Sequence, residues 1–98
     1  MKRTVVVRYQ VHHDAAEENQ RLVEQVYAEL AATDPGGLRY ATYRLADGVT
    51  FVHVATVAGD ENPLTSTAAF ARFQEGLGER CTEPPSPSSA TVVGHYEG

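Results

Sequence analysis

Two neighbouring segments of alternating polarity carry side chains that could do chemistry. Tyr40, Thr42 and Arg44 lie on the first segment and His53 on the second. An imidazole titrates near pH ~6.5 and can take a proton from a phenol or an activated carbon acid. A guanidinium can hold an oxyanion through paired donors, and a phenol hydroxyl can orient a ligand. These groups would suit removal of a proton from a small organic substrate and stabilisation of the anion that results.

The dipeptide Asp47-Gly48 indicates how the two segments meet. Asp-Gly between alternating apolar runs is the strongest short-range signal for a β-hairpin. With these two residues as the loop, the register sets three pairs opposite one another: Arg44 and Phe51, Thr42 and His53, and Tyr40 and Ala55. The polar groups of both strands would then share one face of the hairpin.

The two faces of this hairpin differ in composition. One is almost wholly apolar and contains Ala41, Tyr43, Leu45, Val52 and Val54. The other mixes apolar and polar groups as a pocket does, and contains Tyr40, Thr42, Arg44, Phe51, His53 and Ala55. On this mixed face we expect His53 to be the base, Arg44 the anion stabiliser and Tyr40 the orienting donor. We expect the substrate to contact Phe51, Thr42 and Arg8.

Each of these residues also has a purely structural interpretation. His53 could be a buried histidine that is hydrogen-bonded to Thr42 or to a side chain of the first strand, since most interior polar groups are simply satisfied. Arg44 and Arg8 could form salt bridges across a dimer. Tyr40 could pack at the edge of a pocket with its hydroxyl in water.

Other motifs predict neither a metal site nor a cofactor. His12, His13 and Asp14 are adjacent, but neighbouring strand residues point to opposite sides and no further ligands follow. Cys81 has no base beside it in sequence, so we expect an inert thiol. The chain has neither a glycine-rich phosphate loop nor a nucleophile elbow.

Composition limits the class of protein. Ninety-eight residues predict one domain over residues 1–98. The net charge of −5 and scattered basic residues argue against nucleic-acid binding, and no apolar run is long enough to span a membrane. A single cysteine, with no signal peptide pattern, predicts a cytoplasmic protein.

The order of elements predicts an α+β, ferredoxin-like βαββαβ fold with a four-stranded antiparallel sheet. The first strand covers residues 4–12, and a helix capped by Asp14 and Glu17 runs to Thr33. After the hairpin, a second helix begins near residues 65–66 and ends near residue 80. A proline-rich arm over residues 82–89 precedes the last strand at residues 90–96, because proline cannot sit in a central strand. The first strand would lie between the last and the third.

The helices can cover only one face of such a sheet. Their apolar stripes would cover the apolar faces of the strands, including Val5, Val7, Tyr9 and Val11 of the first strand. The mixed face would then need another partner, because its apolar groups are too many to leave in water.

Several segments resemble one known superfamily. The chain is similar to the dimeric α+β barrel superfamily in its length, in its βαββαβ order and in four segments: PGGLRYATYRLADGVTFVHV, NPLTSTAAFARFQEGL, RCTEPP and VVGHY. Within it, the chain resembles the antibiotic biosynthesis monooxygenase-like group of small actinobacterial proteins. The resemblance implies a homodimer whose mixed sheet faces line a barrel, with the arm over residues 82–87 crossing to the partner.

The resemblance also implies a range of activities. The absence of tryptophan argues against the haem-degrading relatives, which use a tryptophan, and the anthrone-type oxygenases also rely on one. We therefore expect a small-molecule site without a cofactor, in its most concrete form the oxygenation of an aromatic quinol or polyketide-like substrate. The alternatives are a non-catalytic binding or accessory dimer and an isomerase of a small lactone or enol.

Overall fold

A computed structural model describes residues 2–98 and contains one antiparallel sheet of four strands. The strands are β1 (Arg3–Val11), β2 (Leu38–Arg44), β3 (Thr50–Val57) and β4 (Cys81–Ala90). Their spatial order is β2-β3-β1-β4, so β1 lies between the last strand and the third. The predicted α+β, ferredoxin-like arrangement is confirmed.

Three α-helices lie on one side of the sheet: α1 (Ala16–Thr33), α2 (Ala68–Gln74) and α3 (Leu77–Arg80). The predicted end of α1 at Thr33 is confirmed, and Asp34 follows in the left-handed conformation at φ 44°. The predicted cap is wrong, because α1 begins after Ala15 without a side-chain cap. Asp14 instead belongs to a short 3-10 turn, His13–Ala15, which leads directly into the helix.

The second helix is interrupted, whereas one continuous helix was predicted. A 3-10 turn over Pro63–Ser66 comes first, and the Thr67 hydroxyl then caps α2 by accepting the Phe70 N–H at 3.2 Å. Gly76 ends this stretch in the left-handed conformation at φ 78°, and α3 starts in a new direction. A residue without Cβ adopts that conformation without strain, so Gly76 forms the corner between the helices.

The prediction for the last strand is wrong. Residues 82–89 were expected to form an arm and residues 90–96 the strand, but β4 contains the prolines and ends at Ala90. The register shifts between Arg8 and Gln10, where Pro84 and Pro85 lie opposite the single residue Tyr9. Proline is tolerated here because β4 is an edge strand and this position is a bulge, where ladder donors are not required.

The hairpin register is confirmed. Thr42 lies opposite His53, and the pairs on either side of it are also those predicted. The last hydrogen bond before the loop joins Leu45 N to Thr50 O at 2.8 Å, so the loop has four residues rather than two. The Asp47 carboxylate closes it by accepting the backbone N–H groups of Val49 at 3.0 Å and Thr50 at 2.9 Å.

The predicted assignment of the sheet faces is wrong for the hairpin. On β1, the residues opposite Phe51, His53 and Ala55 are Tyr9, Val7 and Val5, so the mixed face of the hairpin continues the helix-covered face of β1. The polar groups were expected to avoid the core. Strand pairing places them in the core, where the hydroxyls of Tyr9 and Tyr40 hydrogen-bond to His53.

The opposite face of the sheet carries no helix in the described part of the chain. We call it the outer face; it contains Thr4, Val6, Arg8, Ala41, Tyr43, Val52, Val54 and Thr56. The core lies on the helix side, where Tyr9 and Phe51 pack with Val23, Val26 and Phe73. Over residues 2–98, no helix is long and apolar enough to cross a membrane.

Candidate functional site

A cavity of about 260 Å³ lies between the helix-covered face of the sheet and helices α2 and α3. The sheet supplies Val5, Val7, Tyr9, Tyr40, His53, Ala55, Val57 and Pro85, and the helical side supplies Leu64, Phe70, Phe73, Gln74 and Leu77. Arg3 and Asn62 complete the lining. The wall is therefore apolar and aromatic with a few polar groups, which is typical of a small-molecule site.

His53 occupies the middle of β3 and is only 6% exposed. Its Nε2 lies 2.8 Å from the Tyr9 hydroxyl, and its Nδ1 lies 2.5 Å from the Tyr40 hydroxyl. Thr42 Oγ1 is a more distant third neighbour, 3.2 Å from Nδ1. Both ring nitrogens are thus engaged by protein groups, and Tyr40 lines the cavity beside His53.

The hydrogen-bond chain continues on both sides of the imidazole. Beyond Tyr9, the Asn19 amide donates to the Tyr9 hydroxyl at 2.9 Å, and Arg80 Nε donates to Asn19 Oδ1 at 3.1 Å. On the other side, Thr42 Oγ1 lies 2.9 Å from the Tyr27 hydroxyl. Tyr27 also stacks on Tyr40, with ring centroids 4.9 Å apart, so the phenol at the cavity is held by both packing and hydrogen bonding.

Burial fixes the charge state of these groups. Desolvation lowers the pKa of His53 to about 4, and it raises the pKa of Tyr40 to about 12. The pKa of Tyr9 is also raised, mainly by burial and against the hydrogen bond from Asn19. At neutral pH all three groups are therefore uncharged, and both phenols keep their protons.

Two of the predicted catalytic residues, His53 and Tyr40, line the cavity together. The third, Arg44, does not: its guanidinium donates to Glu17 Oε1 at 3.0 Å, Gln20 Oε1 at 2.8 Å and the Gly48 carbonyl. The anion-stabilising role predicted for Arg44 has no support in this geometry, because Arg44 does not line the cavity and its Nε and Nη1 donate to partners within the same chain.

The predicted substrate-binding residues lie outside the cavity. Phe51 is buried against Tyr9, with ring centroids 5.7 Å apart, and Thr42 faces a separate groove beside α1. Arg8 is exposed on the outer face, opposite Val52. Phe51 and Thr42 share the face that carries His53 but do not line the cavity, whereas Arg8 lies on the outer face because the relative phase of β1 and the hairpin depends on strand pairing. A substrate contact by these three residues stays a prediction.

Sequence reasoning missed Tyr9, Asn19, Phe73 and Arg80 as parts of the site. One signal was available, because Asn19 lies on the same helical stripe as the buried Val23 and Val26. A buried tyrosine on an otherwise valine-rich strand also calls for a polar partner. No sequence signal pointed to Arg80, because an arginine at the end of a helix is usually exposed.

Among residues 2–98, no group of three His, Cys, Asp or Glu side chains is arranged to hold a metal ion.

The fold is that of several solved proteins. The structure of Rv0793 from Mycobacterium tuberculosis superposes with a TM-score of 0.76 at 20% identity, covering 99% of this chain and 100% of that one. A candidate antibiotic biosynthesis monooxygenase from Nitrosomonas europaea gives 0.77 at 17% identity, with coverage of 94% and 90%.

A mutant form of SnoaB, a cofactor-independent oxygenase from Streptomyces nogalater, gives a TM-score of 0.69 at 21% identity, with 96% and 95% covered. No protein-family model matches the chain, and neither does any curated protein. The expected likeness to antibiotic biosynthesis monooxygenase proteins is confirmed at the level of the fold.

Proposed function

We propose that this protein is a cofactor-independent monooxygenase that oxidises a small phenol or quinol with O₂. The observation that carries the proposal is a neutral phenol, Tyr40, held at the wall of an apolar cavity by the buried imidazole of His53. The cofactor-independent oxygenase from Streptomyces nogalater has the same fold and supports this class of reaction. Fold alone is a weak guide to function, and the support for this activity therefore comes from the side chains of the cavity.

The cavity limits the size of the substrate. Its volume of about 260 Å³ is somewhat below the ~300 Å³ at which pockets for drug-sized ligands begin. An apolar cavity of about 150 Å³ already accepts benzene. The walls include the rings of Phe70, Phe73 and Tyr9. These features favour a flat aromatic molecule of one or two rings, with one oxygen directed at Tyr40.

In the proposed reaction, Tyr40 donates a hydrogen bond to the substrate oxygen as its negative charge develops. This stabilises the phenolate, in which an unsubstituted ring carbon ortho or para to the oxygen bonds to O₂ and forms a peroxide. Loss of that carbon's hydrogen with cleavage of the O–O bond leaves a quinone carbonyl and releases one water. One atom of O₂ enters the product and the other leaves in water, so the substrate itself supplies both electrons.

This assignment gives His53 a different role from the predicted one. A base must present a free lone pair to the substrate, but both ring nitrogens of His53 are bonded to protein hydroxyls. Its low pKa also opposes uptake of a proton at neutral pH. We therefore propose that His53 holds Tyr40 in place, and that the phenolic proton leaves to water as the substrate binds.

Oxygen consumption with a panel of naphthols and quinols tests the proposal. Tyr40→Phe removes the donor and should lower kcat/KM by about ten- to a hundred-fold, as expected for a hydrogen bond to an anion. Tyr43→Phe is the matched control, because the same change falls on the same strand but on the outer face, where Tyr43 is 56% exposed. Equal rates for wild type and Tyr40→Phe would overturn the assignment of Tyr40.

A second candidate function is non-catalytic binding of the same class of ligand. It is favoured by the complete satisfaction of His53, which is typical of a structural histidine. Tight binding of a phenol without oxygen uptake would support it. Conversion of an enol or lactone at an equal rate with and without oxygen would instead support an isomerase.

We also infer that two copies associate through the outer face. This differs from the predicted homodimer, which used the face that carries His53. Val6, Val52 and Val54 form a continuous apolar patch across the two central strands, and no helix of the described chain covers them. Exposed patches of this kind mark interfaces, and a chain of 98 residues gains burial by pairing.

A further inference from the structure

A buried guanidinium lies at the far end of the hydrogen-bond chain from the cavity. Arg80 is 8% exposed, yet its bonds go to the carbonyls of Phe73 at 2.7 Å and Glu75 at 3.3 Å and to the side chain of Asn19. The salt bridges of residues 2–98 involve other groups, Arg44 with Glu17 and His95 with Glu97. Its charge is thus met by neutral oxygens, an uncommon arrangement for a buried cation.

Arg80 determines which way the Asn19 amide faces. A guanidinium only donates hydrogen bonds, so the atom that it contacts at 3.1 Å must be the amide oxygen, Oδ1. The Asn19 nitrogen, Nδ2, must then face the Tyr9 hydroxyl, to which it donates at 2.9 Å. The reverse orientation would set an amide N–H against the cation, so the neighbouring charge excludes it.

The direction of the Asn19 bond fixes the protons beyond it. The Tyr9 oxygen accepts from Asn19, and its own hydrogen has one acceptor within reach among the described residues, His53 Nε2 at 2.8 Å. Because neutral imidazole carries one proton, that proton must be on Nδ1, which then donates to the Tyr40 oxygen at 2.5 Å. The hydrogen of Tyr40 is thus not used by His53 and is left for the cavity or for the neighbouring Thr42 hydroxyl.

We propose that Arg80, through Asn19 and Tyr9, selects the Nδ1–H tautomer of His53 and thereby makes Tyr40 a hydrogen-bond donor to the ligand. Arg80 and Asn19 are positioning residues, since neither lines the cavity. The Nδ1–H tautomer follows from the hydrogen-bond geometry and from the neutral state of the buried imidazole. The inference that Tyr40 donates a hydrogen bond to a ligand rests on the proposed function. The tautomer and the ligand binding are therefore tested by separate experiments.

Asn19→Asp tests the tautomer with a nearly isosteric change. A carboxylate accepts from Arg80 and also from Tyr9, so the Tyr9 hydrogen should turn towards residue 19. The Tyr9 oxygen would then accept from His53 Nε2–H, and Nδ1 would accept the Tyr40 hydrogen. Gln25→Glu is the matched control, because it adds the same charge to α1 six residues away from Asn19 along the helix.

Long-range ¹H–¹⁵N correlation spectra of ¹⁵N-histidine protein at pH 8 report the tautomer directly. Wild type and Gln25→Glu should show a protonated Nδ1 and an unprotonated Nε2, and Asn19→Asp should show the reverse. A protonated Nε2 in the wild type would overturn the proposal by itself, even if Asn19→Asp fails to fold. An unchanged tautomer in a folded Asn19→Asp protein would also overturn it.

Binding of 4-nitrophenol tests the consequence at the cavity, because its neutral and ionised forms absorb differently. Wild type should favour the phenolate, whereas Asn19→Asp should bind it about ten- to a hundred-fold more weakly, as Tyr40 no longer donates. A tautomer exchange with no loss of phenolate affinity would overturn the link to Tyr40. The predicted tautomers together with no binding to the wild type would support the tautomer assignment and count against the proposed function.

Discussion

His53 is a titratable group that the fold keeps neutral, and this has a consequence for stability. Burial lowers its pKa from the ordinary value of 6.5 to about 4. The unfolded chain takes up a proton as pH falls below about 6.5, while the folded protein resists until about pH 4. Unfolding therefore becomes easier across that window, and the loss approaches roughly 3 kcal/mol at its acid end.

Urea unfolding between pH 7.5 and 4 checks this expectation. Wild type should lose stability as pH falls, and His53→Gln should lose less because its side chain does not titrate. His12→Gln is the control, since His12 is exposed in the turn before α1 and should leave the wild-type profile unchanged. The same pH dependence in wild type and His53→Gln would contradict a buried neutral imidazole.

At the residue scale, the sequence predicted part of the site. His53 and Tyr40 were found because the hairpin register sets them on one face and close together. A hydrogen bond from His53 to a side chain of the first strand was one of the interpretations, but the apolar alternation of β1 did not identify Tyr9 as the partner. Asn19 and Arg80 come from distant parts of the chain, 61 positions apart, and only tertiary packing joins them.

At the element scale, local signals predicted elements well when the turn chemistry was unambiguous. Asp47 and Gly48 defined the hairpin, and the sequence Asp-Pro-Gly-Gly over residues 34–37 defined the end of α1 at Thr33. The prolines of β4 led to the wrong prediction of an arm over residues 82–89, because proline is excluded only from central strands. Whether a strand lies at an edge is a property of the whole sheet and cannot be derived from the segment alone.

Gly76 provides a test of the corner between α2 and α3. Its φ of 78° is unfavourable for any residue with Cβ, so Gly76→Ala should destabilise the protein by about 1–2 kcal/mol. Gly78 lies two residues away inside α3, and a Cβ there would meet no atom within 4 Å. Gly78→Ala should therefore stabilise by up to ~1 kcal/mol through helix propensity.

Thermal unfolding of these two glycine variants gives the comparison. Opposite changes in Tm are expected, with Gly76→Ala lower and Gly78→Ala higher than wild type. Lower Tm values of similar size in both would indicate that α3 is not helical at Gly78. A Gly76→Ala protein as stable as wild type would indicate that one continuous helix forms after all.

At the scale of the whole molecule, the outer face of the sheet exposes apolar side chains that no helix of the described chain covers. Beyond β4, the segment after Ala90 is also apolar and uncovered: Val93 is 97% exposed and Tyr96 is 91% exposed. One contact brings this segment back towards the outer face, where Arg39 Nη1 lies 3.3 Å from His95 Nε2. This contact places His95 of the last segment beside Arg39, which lies opposite Thr56 on the outer face.

Val54→Lys tests the dimer. Val54 is half-buried on the central strand β3 and faces outwards, so a lysine there would place a charge in the middle of the inferred interface. Light scattering should give twice the chain mass of 10.6 kDa for wild type and the single chain mass for Val54→Lys. Ala28→Lys, at an exposed position on α1, should remain dimeric.

A wild-type monomer at high concentration, or a dimeric Val54→Lys protein, would show that the outer face is not the interface. Because the cavity lies on the helix side of the sheet, a monomeric Val54→Lys protein should still bind phenols.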